Sequence, residues 1–190
     1  MGSVWGELGE VMPDWSGRGK IRKGQPMERL WAPWRLEYVQ AQSSGSCIFC
    51  LGERSEDAAR LVLHRGTHCF IIINRYPYSN GHLMVAPLRH VADPGLLDGG
   101  EVAELHQLTM LCRDLLLDCC QAQGFNVGMN LGAVAGAGVA DHLHQHIVPR
   151  WAGDSNFMAV FADVRVIPQH LEETYGDLRA ALALRGGNLR

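Results

Sequence analysis

The sequence predicts an α+β fold built on a mostly antiparallel sheet. Runs rich in β-branched and aromatic residues recur between positions 61 and 86 and again between 125 and 148, which is typical of strands. Apolar residues at helical spacing predict one long amphipathic helix over 101–121, and 168–184 is predicted to form a closing helix. Strands therefore outnumber helices and follow one another as hairpins, as in α+β proteins.

Turn residues separate the predicted strands. The predicted strands cover residues 61–64, 69–73, 82–86, 125–131 and 142–148. Gly66 and Thr67 are expected to form the first hairpin turn, and the run Tyr-Pro-Tyr-Ser-Asn-Gly at 76–81 precedes the third strand. A loop of small residues at 132–138 leads into the last strand.

The composition is that of a globular domain with an extension. Hydrophobic residues make up 47% and charged residues 19% of the 190 positions, so the chain can bury a substantial core. Residues 1–26 carry Gly, Pro and charge without periodicity and are predicted to be a loose N-terminal extension. We expect residues 27–190 to form one domain.

Charge and hydropathy limit the expected partners. The net charge of −3 argues against a broad cationic surface that would hold nucleic acid. No apolar run approaches the roughly 20 residues that span a bilayer, and residues 1–25 lack the apolar core of a signal peptide. We therefore expect a cytoplasmic protein that binds neither nucleic acid nor membrane.

Three histidines alternate along the last predicted strand. His142, His144 and His146 are two residues apart, so a strand places them on one face. Each imidazole needs a hydrogen-bond partner, a metal or a substrate. The preceding loop contains three glycines, Gly132, Gly136 and Gly138. Because such a loop lets a phosphate approach the backbone, the pattern favours phosphate chemistry over a satisfied polar ladder or a metal-binding surface.

One pair among the six cysteines has the spacing of a metal-binding or redox-active pair. Cys47 and Cys50 form a C-x-x-C pair, whereas Cys69 falls in a predicted strand and the other three in the predicted long helix. A C-x-x-C pair can supply half of a four-ligand zinc site. The alternatives are a redox pair, which would need a thioredoxin-like βαβ context that is absent, and two unliganded thiols.

The histidine segment resembles the signature of a known family. His-Leu-His-Gln-His-Ile-Val at 142–148 is similar to the defining motif of the HIT (histidine triad) superfamily, and residues 74–90 resemble the family's upstream hairpin segment. The resemblance implies a HIT-like fold with a five-stranded-type sheet, one long helix and a C-terminal helix. It also implies that residues 27–190 form a nucleotide-binding catalytic domain.

Other segments resemble one branch of this superfamily. Residues 29–35, Asp141 and residues 151–157 are similar to the bacterial diadenosine tetraphosphate phosphorylase and hydrolase-like proteins. This resemblance implies an enzyme that cleaves dinucleoside polyphosphates, giving ADP and ATP with phosphate as acceptor, or AMP and ATP with water. The alternatives are an adenosine 5′-phosphoramidase of the same superfamily and a zinc-stabilised nucleotide-binding module without turnover. A homodimer is implied by the resemblance alone.

The resemblance assigns catalytic roles to three histidines. His144 would attack the phosphate and form a nucleotidyl-histidine intermediate. His146 would contact the α-phosphate or the bridging oxygen and neutralise developing charge. His82 would lie behind the nucleophile and help to fix its tautomer.

The resemblance also implies substrate-binding residues. Asn74 would hold the ribose hydroxyls and Asn130 would match the family's phosphate-side amide, while Arg150 is either a phosphate anchor or a structural exit from the strand. The sequence departs from many relatives at Gly138 and Val139, where they have Gln and Ser. This departure leaves the group that protonates the leaving group unassigned.

The same resemblance implies two further zinc ligands beside the cysteine pair. Bacterial relatives complete a zinc site with a histidine after the hairpin and with the first histidine of the triad, which correspond to His90 and His142 here. The implied structural zinc ligands are therefore Cys47, Cys50, His90 and His142. A divalent cation such as magnesium would accompany the substrate.

Overall fold

The computed structural model describes residues 47–154 and 170–185. These residues form five strands and two helices, which are β1 (Val62–Arg65), β2 (Cys69–Ile73), β3 (Leu83–Pro87), α1 (Gly99–Cys120), β4 (Gly124–Met129), β5 (Gln145–Arg150) and α2 (Leu171–Arg185). The predicted N-terminal extension and the segment 29–35 lie outside the described residues. Within the described part, neither helix is long and apolar enough to cross a membrane.

The five strands form one sheet in the order β1-β2-β3-β5-β4. Every neighbouring pair is antiparallel, so the predicted α+β class is confirmed. The hairpin between β1 and β2 turns at Gly66, whose backbone N–H donates to the carbonyl of Cys69 over 2.8 Å. The crossover from β3 through α1 to β4 leaves room for β5 to insert between β3 and β4.

Helix α1 begins and ends at residues with clear local signals. The Asp98 carboxylate accepts the backbone N–H of Glu101, and the Glu101 carboxylate accepts that of Asp98, over 2.8 and 2.9 Å. This capping box satisfies two donors that the first turn leaves unpaired. The helix stops because Gln121 adopts the left-handed conformation, with φ of 50°. The predicted helix 101–121 is confirmed, and it begins two residues earlier.

Both helices pack on one face of the sheet and form the main core. Apolar side chains from the strands, including Ile71, Val85 and Ile147, contact Leu115 of α1 and Leu178 of α2 within one cluster. All five residues are fully buried. Burial on this scale supplies most of the folding free energy. The opposite face is thereby left for the functional groups.

A second, smaller core lies on the other face of the sheet. Its buried members are Phe49, Val62, Phe70, Ile72, Met84 and Ala86. Five of these come from β1, β2 and β3, and the sixth, Phe49, belongs to the turn at residues 47–50. This turn therefore covers the face of the sheet that carries the histidines.

The last strand differs from its prediction, which placed it at 142–148. It begins at Gln145, because the backbone N–H of Leu143 donates to the carbonyl of Val91 over 2.6 Å instead of joining the sheet. His142 and His144 therefore precede the strand. From Gln145 onward the alternation holds, since Gln145 reaches Thr109 of α1 over 2.8 Å while His146 pairs with Met84 on the opposite face.

Candidate active site and metal site

Five histidine rings lie beside the second core as a pair and a group of three, which the hydrogen bond from His144 to the His142 carbonyl joins. Ring centroids are 5.0 Å apart for His90 and His142, 4.9 Å for His144 and His146, and 5.1 Å for His146 and His82. His82 and His142 are fully buried, and His144 is only 6% exposed. The structure thus brings the three triad histidines together with two histidines from the β3 region.

The hydrogen bond to His144 determines which of its nitrogens can attack. Its Nδ1 lies 2.9 Å from the carbonyl oxygen of His142. Because a carbonyl oxygen only accepts, Nδ1 must carry the proton and Nε2 must carry the lone pair. His144 therefore presents an unprotonated Nε2, which is the form that a nucleophile requires.

A chain of hydrogen bonds assigns the tautomers of His82 and His146. The Nδ1 of His82 accepts the backbone N–H of Tyr78 over 3.1 Å and lies 3.3 Å from Nδ2 of Asn74. Its proton is therefore on Nε2, which lies 3.0 Å from Nδ1 of His146. His146 accepts there and carries its own proton on Nε2. His82, which was expected to lie behind His144, thus contacts His146 through both its ring and its Nε2–H.

Burial keeps the triad histidines neutral. Burial lowers the pKa of His144, although its hydrogen bond to the His142 carbonyl opposes the shift. Burial and then the proximity of His144 lower the pKa of His146 to about 4. Near neutral pH the site therefore holds one imidazole with a free lone pair at Nε2 and another with a proton at Nε2.

The C-x-x-C pair meets two histidines in a compact cluster. One ligand atom from each of Cys47, Cys50, His90 and His142 lies within 4.8 Å of the others. Cys47 Sγ and His142 Nδ1 are 3.3 Å apart, as are Cys50 Sγ and His90 Nδ1. A tetrahedral zinc with bonds of about 2.0–2.3 Å spaces its ligand atoms by about 3.3–3.8 Å. The two separations of 3.3 Å match this spacing, and Cys50 Sγ lies slightly farther from His142 Nδ1, at 3.9 Å.

A second hydrogen bond orients His142 toward the cysteines. Its Nε2 donates to the carbonyl of Pro87 over 2.9 Å, so Nδ1 is unprotonated and faces the cysteine sulfurs. Arg60 holds the turn at residues 47–50 by donating to the carbonyls of Ile48 and Cys50 over 2.7 and 3.1 Å. The four groups thus have the chemistry and the support of a metal site.

The two asparagines that were expected to bind substrate form hydrogen bonds in different parts of the site. Asn74 is half-buried, and its Oδ1 accepts the backbone N–H of Tyr76 over 2.9 Å. This bond turns Nδ2 toward His82, so Asn74 belongs to the histidine network. Asn130 donates to the carbonyl of Gly136 over 3.4 Å and thereby braces the glycine loop.

The glycine loop and Arg150 are the remaining predicted substrate residues. Gly136 has φ of 89°, a conformation that favours glycine. Val139, next to Gly138, packs against the second core. Arg150 lies four residues beyond His146 on β5, roughly 13 Å along the strand, and its guanidinium contacts Asp154 over 2.7 Å. This placement favours a structural role for Arg150 over a role as a phosphate anchor.

Two aromatic residues at the site were not singled out from the sequence. Phe49 lies 4.6 Å from His144 between ring centroids, and Tyr78 stacks on His82 at 4.8 Å and 29°. Phe49 stands between the two cysteines, and Tyr78 stands in the turn before β3. The signal that could have found them is an aromatic side chain inside a segment already assigned to the site.

Comparison with known proteins agrees with this geometry. The HIT domain profile matches residues 55–153. The AP-4-A phosphorylase of Mycobacterium tuberculosis is 38% identical over 166 residues, which cover 83% of this chain and 85% of that protein.

Two solved structures also resemble the chain. A Zn-bound histidine triad family protein from Mycobacterium smegmatis superposes with a TM-score of 0.58 at 26% identity, covering 75% of this chain and 96% of that one. The diadenosine triphosphate hydrolase of Plasmodium falciparum has a TM-score of 0.56 at 18% identity, with coverage of 82% and 97%, and supports the fold. Because the family profile spans more than half of the sequence and the phosphorylase aligns over most of it, the chain belongs to the HIT family.

Proposed function

We propose that this HIT-family enzyme cleaves dinucleoside polyphosphates, with diadenosine tetraphosphate as the leading substrate. The observation that carries the proposal is the unprotonated Nε2 of His144, which follows from its bond to the His142 carbonyl. The similarity to an AP-4-A phosphorylase supports the choice of substrate. The same site also suits an adenosine 5′-phosphoramidate, which is the alternative substrate class.

The proposed reaction has two steps. His144 Nε2 attacks the α-phosphorus of one adenosine unit, so an N–P bond forms while the bond to the bridging oxygen breaks and ATP leaves. Inorganic phosphate then attacks the nucleotidyl-histidine and releases ADP, or water attacks and releases AMP. In either case the N–P bond breaks and the electron pair returns to His144 Nε2.

We assign His146 as the hydrogen-bond donor that stabilises the negative charge on the leaving oxygen, with no proton transferred. Its Nε2 carries a proton because its Nδ1 accepts from His82. Val139, which replaces the serine of many relatives, has no hydroxyl and packs against the second core. Asn74, Asn130, Gly136 and Gly138 remain the proposed ribose and phosphate contacts, and magnesium bound to the substrate would offset its phosphate charge.

Product analysis tests this function. Diadenosine tetraphosphate and magnesium are incubated with wild-type protein and with His144→Ala, with and without inorganic phosphate. Phosphate-dependent ADP and ATP, absent from the variant, would establish a phosphorylase, whereas AMP and ATP without phosphate would establish a hydrolase. If the wild-type protein cleaved an adenosine 5′-phosphoramidate but not diadenosine tetraphosphate, with or without phosphate, the phosphoramidate would replace diadenosine tetraphosphate as the proposed substrate. Binding without any turnover would leave a nucleotide-binding module.

We also propose that the Cys47, Cys50, His90 and His142 cluster holds a structural zinc. The ligand separations and the donor set support it, as does the Zn-bound relative. When bound, zinc would tie the turn at 47–50 to the segment before β5. The test is the zinc content of wild type, of Cys47→Ser/Cys50→Ser, and of the control Cys119→Ser/Cys120→Ser. About one zinc per chain, lost only in the first variant, is expected, and folded metal-free wild type would refute the site.

We further propose that the enzyme is a cytoplasmic homodimer. All six cysteines are free thiols, which suits a reducing compartment. Strand β4 lies at the edge of the sheet and exposes 49% of Val127, which offers a surface for a second copy.

A further inference from the structure

Phe49 occupies an unusual position within the metal-binding turn, which comprises residues 47–50. It stands between the two cysteines, and the turn is closed by the backbone N–H of Cys50 donating to the carbonyl of Cys47 over 3.1 Å. Ile48, its neighbour, is 43% exposed, whereas Phe49 is 1% exposed. The turn therefore points one aromatic side chain into the protein.

The ring of Phe49 lies against the histidine that we assign as nucleophile. The two rings are 4.6 Å apart between centroids and inclined by 30°. The same phenyl ring lies 5.5 Å from His142 and 6.4 Å from Phe70. Phe49 is thus packed between the second core and the two histidines, with almost no exposure to solvent.

This contact restrains a motion that the hydrogen bond alone leaves open. His144 is held by one bond from Nδ1 to the His142 carbonyl, and an imidazole held at one atom can still tilt about that bond. Tilting would swing Nε2 away from the phosphorus, and an error of about 1 Å can lower a rate about 100-fold. A phenyl ring packed against the imidazole opposes the tilt.

The His144 ring also contacts His146 edge-on at 4.9 Å, but the hydrogen bond and the phenyl contact both originate in the proposed metal site. The carbonyl that accepts the hydrogen bond from His144 Nδ1 belongs to His142. The phenyl ring that packs against His144 belongs to Phe49, which stands between Cys47 and Cys50. A metal that binds these residues would hold the carbonyl and the phenyl ring in one arrangement. Without it, the turn is attached by fewer bonds.

We propose that Phe49 is a positioning residue that couples the metal-binding turn to the orientation of His144. This inference rests on the proposed function for the role of His144, and it adds that the metal site affects catalysis through one side chain. Phe49 acts on the imidazole and has no role in proton transfer or in the bonds that form and break.

Phe49→Leu tests the proposal against a matched control. Phe70→Leu removes the same ring from the same core, where Phe70 is fully buried, yet among the described contacts its ring touches Phe49 and no histidine. We expect Phe49→Leu to lower kcat about 10- to 100-fold with KM within about threefold and zinc retained. Phe70→Leu should keep kcat within about threefold of wild type. Equal losses of kcat in the two variants would overturn the proposal.

A spectroscopic readout separates this inference from the proposed function. The imidazole resonances of His144, assigned with His144→Asn, carry the ring-current shift of the phenyl ring. We expect Phe49→Leu to remove that shift, Phe70→Leu to retain it, and chelation of the metal to reduce it in wild type but not in Phe49→Leu. An unchanged His144 signal in Phe49→Leu would refute the contact, and an unchanged signal in chelated wild type would refute the coupling. A wild type that forms no nucleotidyl-histidine would refute the proposed function, while these spectra would still decide whether the metal orients His144.

Discussion

At the scale of single residues, hydrogen bonds distinguish histidines that are chemically identical in the sequence. His142 donates from Nε2 and presents Nδ1 to the cysteines, whereas His144 donates from Nδ1 and presents Nε2. His146 accepts at Nδ1 and therefore keeps a proton on Nε2. Their different partners thus suit the three members of one repeated motif to the roles that we propose for them, which are a ligand, a nucleophile and a hydrogen-bond donor.

His82 is expected to matter for rate more than for binding, because it fixes the tautomer of His146. His82→Ala removes the donor at Nδ1 of His146 and allows its proton to move to that nitrogen. We expect kcat to fall about 10- to 100-fold, because part of the protein then lacks the Nε2 donor that stabilises the leaving oxygen, with KM within about threefold. The matched control is His106→Ala, an exposed histidine of α1. A rise in KM at unchanged kcat would contradict the tautomer role.

The lowered pKa of His146 predicts an unusual pH dependence. The form that donates from Nε2 while accepting at Nδ1 is neutral, and the pKa of about 4 keeps it neutral well below the usual histidine pKa. We therefore expect kcat/KM for diadenosine tetraphosphate to change less than about twofold between pH 7.5 and 5.5 and to decrease only at lower pH. Burial lowers the pKa of His144 as well, so a decrease of kcat/KM centred near pH 6.5 would show that His144 or His146 titrates as an ordinary histidine.

At the scale of elements, helix α1 holds both the first hairpin and the start of β5, which carries His146 and follows directly after His144. Its Glu104 carboxylate accepts the backbone N–H groups of Thr67 and Cys69 over 2.9 and 2.7 Å and also that of His68. Its buried Thr109 accepts from Gln145, which stands between His144 and His146. The helix therefore aligns β5 through the face opposite to the active site.

Removing the Glu104 carboxylate should destabilise the fold. Burial alone would raise the pKa of Glu104, but the three backbone donors outweigh it and the pKa is lowered, so the carboxylate is charged at neutral pH. Glu104→Ala leaves these donors without their acceptor. We expect urea unfolding to show a loss of about 2 kcal/mol, against less than about 0.5 kcal/mol for the exposed control Gln107→Ala. Equal stability of the two variants would contradict the role of this cap.

At the scale of the whole molecule, the two faces of the sheet carry different kinds of residue. One face is covered by α1 and α2 and provides the main core. The other carries the histidine rings and a small core that includes Phe49 from the metal-binding turn. The sheet thus separates the bulk of the stabilising packing from the proposed catalytic groups.

The proposed homodimer makes a prediction at the same scale. If β4 pairs with a second copy, a charge at Val127 should disrupt the pairing, because burying an unpaired charge at an interface is costly. We expect sedimentation to give twice the chain mass for wild type and the single-chain mass for Val127→Lys. Leu184→Lys, at an 88% exposed position of α2, should remain dimeric. A monomeric wild type would contradict the dimer.

The sequence by itself determined the class of fold, the order of the five strands along the chain, the long helix and the family. The fold class and the elements follow from local periodicity, and the family follows from motifs of adjacent residues. The family resemblance, and no local pattern, is what paired Cys47 with His142, which are 95 positions apart. The start of β5 was misplaced by three residues, because Leu143 bonds to Val91 far away in the chain.

Only the tertiary structure decided how the histidines divide their roles. It placed His82 against His146, put Phe49 beside His144, and engaged Arg150 with Asp154. A tautomer depends on whether each ring nitrogen meets a donor or an acceptor, and those partners come from residues such as Tyr78 and Pro87 on other segments. Since such contacts form only when distant segments pack together, no local pattern in the sequence encodes them.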